Sequence, residues 1–122
     1  MKICVTSTGK DLNAGVDQRF GRCQYFLIVD TETMEVKAIS NESALSSGGA
    51  GIQAAQIVTK EDVSSVITGN IGPNAFQILQ AAGIKVFTGA EGTIKNAIEC
   101  YKKGTLNETG SANVESHSGL RR

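Results

Sequence analysis

The sequence predicts an α/β domain in which a mixed five-stranded sheet carries three helices, and three observations favour this fold class. Short, continuous apolar runs in residues 1–38 are typical of buried strands. From residue 50 the apolar period changes, and helical and strand patterns then alternate. The 122 residues suit one domain, which can bury an aliphatic core without disulfides.

The first half of the chain predicts one buried strand and one antiparallel hairpin. Residues 2–6 form the first strand, and residues 25–29 form a second strand that is covered on both faces. Residues 34–38 alternate apolar and charged side chains, as a half-exposed strand does. The short turn at residues 30–33 makes this third strand the hairpin partner of the second.

The second half predicts parallel strands that are joined by helices. Helical patterns begin at Ala50, Pro73 and Ile94, and strand runs at residues 63–67 and 84–87 separate them. This alternation implies parallel strands with right-handed crossovers. The domain is predicted to span residues 1–103, and residues 104–122 are predicted to be a disordered polar tail with little apolar surface.

Composition and charge exclude several classes of function. Twelve basic residues balance twelve acidic ones, so we expect neither a nucleic-acid partner nor a membrane surface. No apolar run is long enough to span a bilayer, and no signal peptide is evident, so we expect a cytoplasmic protein. Glu35 and Lys37 on the predicted edge strand discourage pairing between sheets, which predicts a monomer.

Residues for hydrolysis or phosphoryl transfer are missing from the predicted domain. The only histidine, His117, lies in the tail, and the sequence contains no Walker-type phosphate loop. A two-metal nuclease would need several carboxylates on its strands, and the first strand has none. We therefore expect a protein that is not an enzyme.

Glycine-rich loops are predicted to meet at the carboxyl edge of the sheet, where open α/β sheets bind ligands. Three of these loops lead into helix N-termini, whose free N–H groups and dipole favour anions. The candidate binding residues in these loops are Gly48, Gly49, Gly51, Asn70, Gly72, Asn74, Gly92 and Thr93. In the alternative interpretation, the glycines only make tight turns.

The most distinctive loop spans residues 16–25, and its candidate binding residues are Arg19, Phe20, Gly21, Arg22 and Cys23. Arg19 and Arg22 could hold an anion through paired hydrogen bonds. Cys23 could supply a thiolate to iron, as a metal ligand. In the alternative, Arg19 pairs with Asp17, Phe20 fills the core and Cys23 is a small packing residue.

Residues 16–30 and 67–76 resemble the dinitrogenase iron–molybdenum cofactor biosynthesis family, the NifX/NifB-type domain. The resemblance covers about residues 1–103. It implies a ribonuclease-H-like fold, with helices on both faces of a mixed five-stranded sheet. It also implies a carrier that binds an iron–sulfur or iron–molybdenum cofactor-like cluster, with docking to a partner protein as the alternative function.

Family members that handle the cofactor often have a His-Phe-Gly-His pattern where this chain has Arg19-Phe20-Gly21-Arg22. The two arginines replace nitrogen ligands by cations, and Cys23 is then the obvious metal ligand of the loop. Since such clusters are polyanionic, the resemblance favours anion binding by this loop.

Overall fold

The computed structural model describes residues 1–42 and 49–110, in which three helices pack on a six-stranded mixed sheet. The elements are β1 (Lys2–Ser7), β2 (Tyr25–Asp30), β3 (Val36–Ser40), α1 (Ala50–Thr59), β4 (Ser65–Ile67), α2 (Pro73–Ala81), β5 (Lys85–Thr88), α3 (Ile94–Lys103) and β6 (Asn107–Glu108). Among the described residues, no helix combines the length and apolar character needed to cross a membrane.

The sheet is built around β1, in the order β3-β2-β1-β4-β5-β6. β1 pairs antiparallel with β2 and parallel with β4, so that Val5 lies between Leu27 and Ile67. β4 pairs parallel with β5, and β2 pairs antiparallel with β3 in the predicted hairpin. Because β1, β4 and β5 are parallel, their carboxyl ends share one edge of the sheet.

Both faces of the sheet are covered. Successive side chains of a strand point to opposite faces, so Cys4 packs with α1 and α2 whereas Ile3 and Val5 pack with α3. Ala55 and Leu79 cover the first face, and Ile94 and Ile98 cover the second. The predicted mixed sheet and the three predicted helices are confirmed.

The predicted number of strands is wrong, because β6 adds a sixth strand beside β5. β6 runs antiparallel to β5, so the prediction that the strands outside the hairpin are parallel also fails there. β6 lies within the segment predicted to be a tail, and its two side chains are exposed and polar. Its pairing depends on backbone groups such as the Thr109 N–H, which donates to Val86 O at 2.7 Å. Such a strand cannot be predicted from the pattern of apolar residues. His117 and the rest of residues 111–122 lie outside the described residues.

Candidate anion-binding site

The loop between β1 and β2 lies across the carboxyl edge of the parallel strands. Its Val16 N–H donates to Gly92 O at 2.9 Å, which links it to the loop that precedes α3. The Asn70 N–H donates to Gln18 O at 2.7 Å, and the Phe20 N–H donates to Asn70 O at 3.1 Å. Three loops that are distant in sequence therefore meet at one edge, as the alternation of strands and helices predicts.

Gln18 links this loop to the segment that follows β5, although nothing in the sequence marks it as a functional residue. Its Nε2 donates to Ala90 O at 2.9 Å, beyond the end of β5. Its backbone passes so close to Gly69 that a Cβ atom on Gly69 would lie 2.8 Å from Gln18 Cα. Gly69 is therefore required for the close approach of the loop to the end of β4.

Arg19 is exposed and lies beside a buried carboxylate. Its Nε is 3.9 Å from Asp17 Oδ1, and its backbone N–H donates to the same oxygen at 3.1 Å. About two thirds of the Arg19 side chain is open to solvent, so this ion pair is screened and weak. The pairing with Asp17 follows the alternative interpretation of the loop.

Phe20 and Cys23 are buried in the core below the loop. The ring of Phe20 packs on that of Phe26 with 5.5 Å between the ring centroids. Cys23 is completely buried beside Cys4. Burial, and secondarily the negative charge of Asp17, raises the pKa of the Cys23 thiol far above its ordinary value. The thiolate is the form that binds metal, and this environment disfavours it.

The described residues contain no group of three or more His, Cys, Asp or Glu side chains that could hold a metal ion. The neighbour of Cys23 that hydrogen-bonds to it is Asn41, whose Nδ2 donates to the Cys23 carbonyl oxygen and lies 3.8 Å from its Sγ. Its role as a metal ligand stays a prediction.

Asn41 supports the backbone of the loop from below. Its Nδ2 donates to Gly21 O at 3.2 Å and to Cys23 O at 3.0 Å, and its side chain is completely buried. Its Oδ1 is also buried and has no hydrogen-bond partner among the residues described. Leaving a buried acceptor unsatisfied costs about 1–3 kcal/mol. The sequence places Asn41 in an ordinary polar loop, and no pattern singles it out.

Arg22 lies at a groove of about 240 Å³ between the loop and the helices α1 and α2. Gly21, Gly49, Gly51, Ile52 and Asn74 are among the other residues that line it. A Cβ atom on Gly21 would lie 2.9 Å from Gly51 Cα, so the loop touches the first turn of α1 directly. Only glycine at position 21 permits this contact with backbone.

Two helix N-termini open at this groove. α1 begins after Gly49 and α2 after Gly72; both N-cap residues are glycines, so no side chain caps these helices, and neither first turn contains an acidic residue. Asn74, in the first turn of α2, lines the groove beside Gly49 and Gly51. The positive ends of two helix dipoles therefore lie at the groove that Arg22 lines, an arrangement that favours an anion.

The N-terminus of α3 differs, because its N–H groups already have acceptors. The Thr93 hydroxyl accepts from the Asn96 N–H at 3.1 Å. The N–H groups of Ile94 and Lys95 donate to backbone oxygens of the β1–β2 loop at 2.9 and 3.0 Å. Gly92 lines a separate hollow together with Glu91, whose charge disfavours anions.

The structure thus divides the predicted binding residues into groups. Gly21, Arg22, Gly49, Gly51 and Asn74 line the groove, and Gly72 caps the helix beside it. Arg19 of the β1–β2 loop pairs with Asn70, which follows β4. Phe20 and Cys23 belong to the core, and Gly92 and Thr93 lie at the start of α3. Gly48 lies outside the described residues.

Comparison with known proteins identifies relatives that span most of the chain. The family described as "Dinitrogenase iron-molybdenum cofactor" matches residues 1–104. An uncharacterized protein of Methanocaldococcus jannaschii is 31% identical over 97 residues, which are 77% of this chain and 82% of that protein.

Two solved structures extend the likeness to the fold. The apo form of the orange protein from Desulfovibrio gigas is 40% identical, with a TM-score of 0.89 over 92% of this chain and 95% of that one. A NifB-like protein from Thermotoga is 37% identical, with a TM-score of 0.76 over 88% of this chain and 91% of that one. The chain belongs to the dinitrogenase iron–molybdenum cofactor family.

Proposed function

We propose that this protein is a non-catalytic carrier that binds an anionic metal–sulfur cluster, of the iron–sulfur or iron–molybdenum cofactor precursor type. The observation that carries the proposal is the groove at which Arg22 meets the N-termini of α1 and α2. The cluster is the cargo of this carrier, and Arg22 with the first turns of the two helices would hold it.

The chemistry of the groove suits such a cargo. A guanidinium presents several N–H donors in a planar fork, and helix N-termini add N–H groups and positive dipole ends. A polyanionic cluster can accept from all of them without any bond between metal and protein. The family description names the iron–molybdenum cofactor, and the orange protein structure is that of an apo form.

Some expectations from the sequence stay predictions and are not needed for this mode of binding. They are ligation of metal by Cys23, the cytoplasmic location, the monomeric state and the domain boundary at residue 103. The ribonuclease-H-like arrangement is part of the proposal too, and the mixed sheet with helices on both faces supports it. Docking to a partner protein through the tail stays a prediction, since residues 111–122 lie outside the described part of the chain.

Anaerobic titration with a synthetic 4Fe–4S cluster ligated by 2-mercaptoethanol tests the proposal, with binding followed by optical absorption. We expect Arg22→Gln to weaken binding about tenfold or more, as the loss of a charge-assisted hydrogen bond does. Lys37→Gln is the matched control, because Lys37 pairs with Glu61 and does not line the groove, and it should leave the affinity unchanged.

Equal affinities of the wild type and Arg22→Gln would exclude the groove as the site. Cys23→Ala in the same titration separates the two possible modes of holding the cluster. An unchanged optical spectrum in Cys23→Ala would exclude a thiolate bond, and an altered one would support it.

A further inference from the structure

We propose that Asn41 is the positioning residue for Arg22, because its side-chain amide fixes the backbone on both sides of that arginine. The inference rests on the proposed function and deepens it, since it assigns the residue that prepares the groove for an anion. Asn41 itself does not line the groove and would not touch the cargo.

The hydrogen bonds of Asn41 converge on the backbone around Arg22. The Asn41 Nδ2 carries two hydrogens and has two carbonyl acceptors, which belong to Gly21 and Cys23, the residues before and after Arg22. The backbone N–H of Asn41 donates in addition to Gln24 O at 3.1 Å. One buried residue therefore holds the chain at three points around the exposed arginine, at Gly21, Cys23 and Gln24.

The choice of an amide side chain follows from these two acceptors. A neutral amide nitrogen can donate to two carbonyls at once, whereas a hydroxyl can donate to only one. The orientation that satisfies both carbonyls turns Oδ1 away from them, and this oxygen is left buried without a partner in the described part of the chain. The fold thus keeps the double donor although the other end of the side chain is unsatisfied.

Fixing the backbone matters because the Arg22 side chain is long and exposed. A flexible loop would lose conformational freedom each time the guanidinium bound an anion, and that loss would weaken binding. On the other side, Gly21 already rests on the first turn of α1. With Asn41 below and α1 beside it, the loop presents Arg22 to the groove before the ligand arrives.

A double-mutant cycle on the full chain tests this role with the same synthetic 4Fe–4S cluster as the probe. We expect Arg22→Gln to weaken binding about tenfold and Asn41→Ala to weaken it about threefold to tenfold. The double variant should bind no more weakly than Arg22→Gln alone, because Asn41 acts through Arg22. Ser65→Ala, which removes a buried hydroxyl bonded to Tyr101, is a control for lowered stability and should bind like the wild type.

Each other outcome overturns the inference. If the losses of affinity from the two single variants multiply in the double variant, Asn41 is a general structural residue. The same conclusion follows if Ser65→Ala loses as much affinity as Asn41→Ala. Normal binding by Asn41→Ala, while Arg22→Gln binds weakly, would overturn this inference and leave the proposed function standing. No effect of Arg22→Gln would overturn both. If Asn41→Ala lacks a cooperative unfolding transition, Asn41→Leu, which keeps the branched shape of the side chain, takes its place in the cycle.

Discussion

At the scale of single residues, Arg22 and Cys23 are neighbours in opposite environments. Arg22 is exposed at the groove, whereas Cys23 is completely buried. Both are plausible ligand-binding residues in the sequence, since arginine binds anions and a thiolate binds iron. Burial separates them, because the exposed Arg22 is available to a ligand, whereas burial raises the pKa of the Cys23 thiol and disfavours its thiolate.

The buried thiols give the stability of the protein a pH dependence on the alkaline side. The pKa of Cys4 and that of Cys23 are both raised, chiefly by burial, above the ordinary value of 9.0. Above that pH the unfolded chain loses these protons while the folded chain keeps them. The free energy of unfolding should therefore fall by about 1.4 kcal/mol per pH unit for each thiol.

Urea unfolding between pH 7 and pH 10 measures this dependence, with Cys23→Ala for comparison. Above pH 9 the variant should lose stability less steeply than the wild type, by the share of one thiol, and below it the two should run parallel. Parallel curves over the whole range would mean that the pKa of Cys23 is not raised in the folded protein.

At the scale of elements, the three helices begin in different ways. α3 has its first N–H groups bonded to Thr93 and to the β1–β2 loop, whereas α1 and α2 follow glycines without side-chain caps. All three starts follow a glycine-rich loop in the sequence, and only the threonine before α3 indicates a side-chain cap. The path of the β1–β2 loop decides which helix ends are left for a ligand, and that path depends on tertiary contacts.

The contact between the loop and α1 predicts opposite effects for two touching glycines. Gly21→Ala should destabilise the protein by about 1–3 kcal/mol, because its Cβ would lie 2.9 Å from Gly51 Cα and 3.1 Å from Gly51 N. Gly51→Ala should stabilise it by up to about 1 kcal/mol, because the new Cβ meets only Ala75 Cβ at 3.8 Å and alanine favours the helix. Urea unfolding of the two variants measures both effects. Similar values for the two would show that the loop does not rest on α1 in solution.

At the scale of the whole molecule, β6 closes one side of the sheet with few side-chain contacts. The hydroxyls of Thr88 and Thr109 lie 2.6 Å apart, and Leu106 packs against the core on the α3 side. The opposite edge is β3, whose residues are mostly exposed. The two sheet edges are therefore protected differently, by a short added strand on one side and by charged side chains on the other.

A chain that ends at Thr105 should be less stable than a chain that ends at Gly110, by about 2–4 kcal/mol. The shorter chain loses the pairing of β6 with β5, the Thr109 N–H bond to Val86 O and the packing of Leu106. Urea unfolding of the two chains measures the difference, and Leu106→Ala in the longer chain isolates the apolar share. Equal stabilities would mean that β6 is not formed in solution.

The sequence predicts much of this architecture and less of the site. The periods of the apolar residues predict the three helices and the strands β1 to β5, because those elements bury one or both faces. The sequence does not predict β6, because its pairing is made by backbone groups and its side chains are polar. The groove follows in part from the glycines and Arg22, whereas Asn41 and Gln18 act through hydrogen bonds to distant segments, which no local pattern records.

The exposure of the groove has a consequence for the transfer of a cargo to a receiving protein. Arg22, Ile52 and Asn74 are all exposed, so a cluster held there would keep one side in contact with solvent. A recipient could approach that open side and take over the contacts one at a time, while the core beneath Phe20 and Cys23 stays closed. The rate of handover would then depend on the concentration of the recipient, because no opening of the carrier has to come first.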